Sequence, residues 1–449
     1  MKRAKKVISL LLAVIMLVSV AAMFAGCGSE NTAETTKPAS GEATEAATSA
    51  APKEKTKITF WYLWSGDAAE NLEAVIANYN AQSDSYYVEG LSVGDSQKII
   101  AAMAAGDGPD ITDDFTSNLG LYASSGVMEP LDSYIEKSNY DIDDFVPAAV
   151  DACRMDGQLW ALPLNINLMA MYYNKTLLAE AGYNEPPKTL EEMYEMAVAT
   201  TKVAADGTLE TCGFPDFPNV YYLSSFVPAA GGSWYSADGT AASPDNEGNA
   251  LALKLICDYR EQFGVDNVVR FGSSGAYLDP TDPFLSGKQT FRIDGPWMGK
   301  DLVETFQSDV DYGVTYVPYP EAHPEYAGSA TVSSSVFFIN SQSKVKDGAW
   351  DFMMYLVGKQ GMLDFTVKCG DFPSRISVME DESFLDTYYD VDFYIEMAAS
   401  ENLTSIPASA KYWDYNSIVS EQTELCMNLK QDIPTTLNTI YEQGSQVFN

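Results

Sequence analysis

The stretch Ile58–Thr112, ITFWYLWSGDAAENLEAVIANYNAQSDSYYVEGLSVGDSQKIIAAMAAGDGPDIT, decides the fold. It opens on a short β-type run, Ile58–Tyr62, and then sets Leu72, Val75, Ile76 and Tyr79 on one helical stripe. Tyr86–Leu91 reads as a second strand. Ser96–Ala105 reads as a helix that stops at Gly106, and Asp110-Ile111-Thr112 begins a third strand. Strands and helices alternating in this way predict a mostly parallel sheet covered on both faces.

The alternation continues. Met169–Tyr173 is strand-like, and Thr189-x-x-Glu192 is a capping box before a helix carrying Met193, Ala197 and Val198. A helix near 249–263 puts Ala252, Leu255, Ile256 and Tyr259 on one side. Strands are predicted at Thr290–Asp294, Tyr312–Val317 and Val336–Asn340, and the next helix has Trp350, Met353, Met354 and Val357 at core spacing. Ligands of open α/β sheets bind beyond the carboxyl ends of the strands. The loops to watch are therefore Trp61–Asp67, Asp113-Asp114-Phe115 and Asp294-Gly295-Pro296-Trp297.

The N-terminus speaks to compartment. Lys2, Arg3, Lys5 and Lys6 precede an apolar run from Val7 to Ala25, followed by Gly26-Cys27. A basic flank, a short apolar core and small residues read as a secretory signal over 1–26, with an uncleaved membrane helix as the plainer alternative, and the cysteine after Ala25-Gly26 resembles a bacterial lipoprotein site. Residues 27–55 lack aromatics and are rich in Ala, Thr, Ser and Glu, so they read as a disordered tether. About 390 residues follow, enough for two lobes with proper cores.

The formal charge is −36, which excludes nucleic acid as a partner because phosphates require basic surface. Besides Cys27 there are five cysteines, Cys153, Cys212, Cys257, Cys369 and Cys426, without a C-x-x-C. Neither a disulfide framework nor a zinc site follows; buried thiols are the simplest reading, with one or two disulfides left open. The one histidine, His323, sits in a polar loop-like stretch, which leaves little room for a Ser-His-Asp triad. No P-loop pattern occurs, and Asp141, Asp143 and Asp144 lack the glycine and terminal glutamate of an EF-hand. No cofactor or metal is expected. Carboxylates are plentiful, so a glycosidase pair stays open.

Tryptophans beside Asp and Asn suit sugars, whose C–H faces stack on flat rings while their hydroxyls need hydrogen-bond partners. Each such residue also has a plainer reading. Trp350 belongs to a core stripe and Trp160 to packing, whereas Trp64, Trp297 and Trp413 fit core or pocket equally. Asp113 and Asp114 fit a helix N-cap, and Asp294-Gly295 a turn.

Ordered motifs then add a resemblance. They include Ile58-Thr59-Phe60-Trp61, Ala104–Ile111, Asp156–Pro163, Tyr172-Tyr173-Asn174-Lys175, Ala229–Trp234, Asp294–Trp297 and Ala349–Phe352. In this order they resemble the family 1 extracellular solute-binding proteins of ABC importers, the group that includes maltose-binding protein. The resemblance runs from about Lys57 to the C-terminus. It implies a two-lobed α/β fold of the periplasmic-binding-protein type II kind, with a ligand cleft between lobes joined by three hinge crossings. The implied lobes are 56–165 plus 336–374 and 166–335 plus 375–449, crossing near Asn165–Asn167, Ser333–Ser335 and Ser374–Ser377. The implied ligand contacts are Trp64, Asp67, Asp113, Asp114, Asn165, Asn167, Tyr221, Trp234, Asp294, Trp297, Arg375 and Trp413. Ser333-Ser334-Ser335 departs from the glycines often found before the second crossing, which leaves the pocket shape open. The implied protein is a non-enzymatic monomer, exported and lipid-anchored through Cys27. It would bind a carbohydrate for ABC permease subunits, with a peptide or polyamine as the alternative solute.

Overall fold

The computed structural model describes residues 54–215 and 219–449, with backbone alone for 219–221. The leader 1–26, Cys27 and nearly all of the tether lie outside the described residues. Strand β1 (Thr56–Tyr62) buries Ile58, Phe60 and Tyr62 on one face, the period-2 pattern of a pleated strand. Helix α1 (Gly66–Gln82) covers that side with Leu72, Val75, Ile76 and Tyr79, the predicted stripe. Strand β2 (Tyr86–Ser92) pairs in parallel with β1 along its whole length. Helix α2 (Ser96–Ala105) ends at Gly106, whose φ of 84° is the left-handed conformation that glycine accepts without steric cost.

Strand β3 (Ile111–Phe115) lies on the other side of β1, also parallel, and runs into helix α3 (Thr116–Ser124). The later strands of the two larger sheets are β4 (Leu162–Pro163), β5 (Ala170–Asn174), β6 (Phe291–Asp294), β7 (Tyr312–Thr315) and β8 (Ser335–Ile339). The first sheet has the order β2-β1-β3-β8-β4, and the second β6-β5-β7. The expectation of a mostly parallel sheet holds only for β2-β1-β3. β8 runs antiparallel to both β3 and β4, and the second sheet is antiparallel throughout. The reason is where the chain re-enters: β8 begins beside the end of β3, Ser335 opposite Phe115, so it must run backwards.

Helix α4 (Leu190–Thr200) carries the predicted capping box, Thr189 and Glu192 each bonding the other's backbone. The remaining helices used below are α5 (Glu247–Phe263), α6 (Lys346–Leu356), α7 (Lys359–Cys369), α8 (Tyr412–Met427) and α9 (Ile433–Phe448). Trp350 of α6 is buried, as its spacing requires. Apolar side chains gather into separate cores. One draws on Ile58 to Leu164 and then Val336 to Val378; two smaller ones draw mainly on the chain between them and on Phe372 to Ala398. All five described cysteines are free thiols. No helix among the described residues is long and apolar enough to cross a membrane.

Between the cores three segments are stitched side by side. Leu164 N–H donates to Ser335 O (2.9 Å), Asn167 N–H to Ser333 O (2.8 Å) and Ile166 N–H to Phe372 O (2.9 Å). Asn165 ties all three: its Oδ1 accepts from Ser335 N–H (2.8 Å) and its Nδ2 donates to Asp371 Oδ2 (3.1 Å). Burial pushes the Asp371 carboxyl up to about 6. The folded protein therefore holds this proton where the unfolded chain, at about 4, has released it. Its contribution to stability falls as pH rises from about 4 to about 6. In Asp371→Asn the melting temperature relative to the parent should climb across that window and level off above it. A flat difference from pH 4 to pH 7 would contradict this placement of the proton.

Candidate functional site

The loop after β1 is fastened to the end of β3, where Asp113 Oδ1 accepts from Leu63 N–H (2.9 Å). That bond holds Trp64, half-buried, with its ring edge-on to Phe365 of α7 (5.3 Å) and tilted on Phe337 (5.8 Å). Asp113 and Asp114 are both buried. Burial, and then the charge of Asp114, push the Asp113 carboxyl well above the usual range. A carboxyl held neutral can donate a hydrogen bond as well as accept one.

Asp114 is not the helix N-cap of the plainer reading, because Phe115 holds that position and no side chain caps it. Asp114 Oδ1 accepts from Phe115 N–H (2.7 Å) and from Asn118 Nδ2 (2.7 Å), one turn along α3. Asn118 Oδ1 in turn accepts from Trp413 Nε1 (2.5 Å), at the start of α8. The relay Asp114–Asn118–Trp413 thus joins the first sheet to a distant helix, and Trp413 remains 50% exposed. Next to it Gly120 lies so close to Ser409 that a Cβ would sit 2.2 Å from its carbonyl carbon. Two enclosed acceptor atoms, Asp114 Oδ2 and Ser334 Oγ, have no hydrogen-bond partner among the described residues. They are neighbours through Thr116, which exchanges hydrogen bonds with Ser334. Asn165 and Asn167 lie beside Ser334, bonded to Ser335 and Ser333.

Trp297 stands on a separate support. Its Nε1 donates to Tyr277 OH (3.0 Å), which donates to Asp294 Oδ1 (3.0 Å). Asp294 Oδ2 accepts from Arg292 Nε (2.9 Å), and Arg292 also pairs with Asp282 (3.2 Å). All three charged side chains of this network are fully buried. The indole folds back over Gly295, where a Cβ would come within 2.3 Å of the ring. Both tryptophan loops meet α7. Phe365 faces Trp64, and Lys368 O accepts from Lys300 Nζ (2.7 Å), three residues beyond Trp297.

Other expected residues are placed differently. Asp294 is turned inward, with both oxygens engaged by Arg292, Tyr277 and the Gly295 N–H. Arg375 is buried against the ring of Phe145 and pairs with Asp144 while donating to Val357 O (2.8 Å). Trp234 packs against three apolar clusters beside α5 and α8. Asp67 is exposed in the first turn of α1. The side chain of Tyr221 lies outside the described residues. Sequence reasoning missed Asn118 and the Tyr277–Arg292–Asp282 support. Asn118 was within reach as the i+4 neighbour of Asp114. Arg292 and Asp294 share one strand face by period 2, which marks them as partners. No group of three or more His, Cys, Asp or Glu among the described residues is placed to hold a metal ion.

Comparison with known proteins bears on this arrangement. The family model described as bacterial extracellular solute-binding protein matches residues 74–388. The maltotriose-binding protein of Pyrococcus abyssi is 23% identical over 329 residues, 72% of this chain and 68% of that protein. The sn-glycerol-3-phosphate-binding periplasmic protein of Brucella melitensis is 24% identical over 426 residues, covering 87% and 93%. Among solved structures, CpMnBP1 with mannobiose bound superposes with a TM-score of 0.73 at 22% identity, covering 87% of this chain and 100% of that one. The sugar-binding protein MalE of Xanthomonas citri gives 0.71 at 21% identity, covering 88% and 97%.

Removing Arg375 strands the Asp144 carboxylate, so Arg375→Met should cost about 3 kcal/mol in urea unfolding. Ligand affinity of the folded variant should stay that of the parent. A large loss of affinity at unchanged stability would move Arg375 into the binding site.

Proposed function

The chain belongs to the bacterial extracellular solute-binding protein family, and from that premise we propose that it captures a carbohydrate, most simply an oligosaccharide, and delivers it unaltered to an ABC permease. The observation that carries this reading is the Asp114–Asn118–Trp413 relay, which sets an exposed indole beside buried carboxyls and the orphan acceptors Asp114 Oδ2 and Ser334 Oγ. Flat rings offer faces to sugar C–H surfaces, while the two orphan acceptors and the Asp113 carboxyl answer hydroxyls. The maltotriose- and mannobiose-binding relatives support the same class of ligand. The glycerol-3-phosphate relative suggests an anionic one. The carboxyl pair opposes that, since a buried phosphate beside Asp113 and Asp114 meets no counter-charge among the residues proposed for the site.

In this proposal the ligand sits between a lobe of 56–165 plus 336–374 and a lobe of 166–335 plus 375–449. Trp64, Trp297 and Trp413 provide ring faces; Asp113, Asp114, Asn165 and Asn167 hold hydroxyls. Asp294 acts by fixing Trp297 through Tyr277. Binding favours the closed arrangement of the lobes and so shifts the hinge equilibrium. The leader 1–26 is removed, Cys27 receives a diacylglyceryl anchor, and the tether lets the monomer range over the outer face of the membrane. Two acyl chains give the firm hold that one does not.

A thermal-shift screen tests the ligand class: oligosaccharides should raise the melting temperature by mass action. Stabilisation only by polyamines, peptides or glycerol 3-phosphate would replace the carbohydrate reading. Trp297→Ala should abolish that sugar shift while leaving the unliganded melting temperature near the parent's. Unchanged affinity would remove Trp297 from the site. Incubation with the bound oligosaccharide should release no new reducing ends; turnover would make the protein a glycosidase.

A further inference from the structure

We infer that Cys257 and Cys426 are a dithiol that closes to a disulfide outside the cell, by exchange with a small-molecule or protein disulfide, stapling α8 to α5. The two Sγ atoms face each other at 3.7 Å across packed helices, within an apolar cluster that includes Leu253 and Leu437. Cys257 Sγ also reaches Cys426 O at 3.5 Å, so its thiol is held toward its partner rather than away from it. A disulfide needs the sulfurs at about 2.05 Å, an approach that side-chain rotation can supply without parting the helices.

Reactivity is arranged in the same direction. Donation from the Cys257 thiol draws Cys426 down to about 7, which supplies the thiolate that exchange requires near neutral pH. Burial pushes Cys153 and Cys369 the other way. The family is extracellular, and disulfides persist in that compartment. The exchange balances. Cys426 thiolate attacks one sulfur of the incoming disulfide and expels one thiolate. Cys257, as it loses its proton, attacks the mixed disulfide at Cys426 and expels the second. The protein gives up two electrons and two protons, and the reagent leaves as two thiols.

The bond would span 169 residues of sequence. Closing so long a loop restricts the unfolded chain strongly, so the folded state gains stability. Its place also bears on the site. α8 carries Trp413 at its first turn and Cys426 near its last, so the staple anchors the far end of the helix that presents the indole.

The test uses the mature protein, reduced with dithiothreitol, freed of reductant and then exposed in its folded state to oxidised glutathione. Free thiols are blocked with iodoacetamide under denaturing conditions, and peptides are mapped without reduction. The expected product lacks two hydrogens, joins the peptides of Cys257 and Cys426, leaves Cys153, Cys212 and Cys369 alkylated, and melts at a higher temperature than the reduced form, reversibly. Cys257→Ser and Cys426→Ser should each lose the cross-link and the temperature gain. Alkylation of both sulfurs after oxidation would overturn the inference, as would stable glutathione adducts on either one or a cross-link without a rise in melting temperature. The mapping on the parent protein decides the matter even if a variant fails to fold.

Discussion

The side chain of Asn165 is the constraint on which the arrangement turns. One amide accepts from Ser335 and donates to Asp371, and so fastens all three segments that run between the cores. Backbone bonds between 164–167, 333–335 and 372–374 alone would make a narrow, extended ribbon. With the amide in place the ribbon becomes a joint of fixed width at which β3 and β8 also end and begin. Everything placed at that joint, from Thr116 and Ser334 to the Asp113-Asp114 pair, inherits its position.

From that joint the proposed binding groups fall into two supports with different physics. Trp413 is held by a chain of neutral and charged hydrogen bonds reaching back to Asp114. Trp297 is held by buried charge, in which Arg292 is shared between two carboxylates and one of these reaches the indole through Tyr277. A buried guanidinium between two carboxylates is costly to assemble and costlier to break, so it fixes geometry more firmly than packing would. Gly295 fits the same logic, because any side chain there would displace the ring. Exposed aromatic area near the joint is thereby kept in set orientations and does not collapse into the cores.

Much of the local structure could be read from the chain. Helix α2 ends at Gly106 and α4 begins with a capping box because those signals act over three or four residues. The stripe of α1 and the burial of Trp350 follow from periodicity in the same way. Strand direction was not legible, since a period-2 pattern is identical for parallel and antiparallel neighbours; β8 and the second sheet show it. Among the candidate site residues, the Asp113-Asp114 pair and Trp297 were visible as types at strand ends. What they bond to was not. Trp413 and Asn118 are 295 residues apart, and Arg375 meets Asp144 across 231. An arginine beside a crossing reads alike whether it faces solvent or a buried aspartate.

The central claim is that a solute is clamped between two bodies that pivot about the Asn165 joint. Small-angle X-ray scattering measures that directly, as the radius of gyration of the mature protein with and without saturating oligosaccharide. The account predicts a smaller radius in the bound state. A radius unchanged at demonstrated saturation would contradict it.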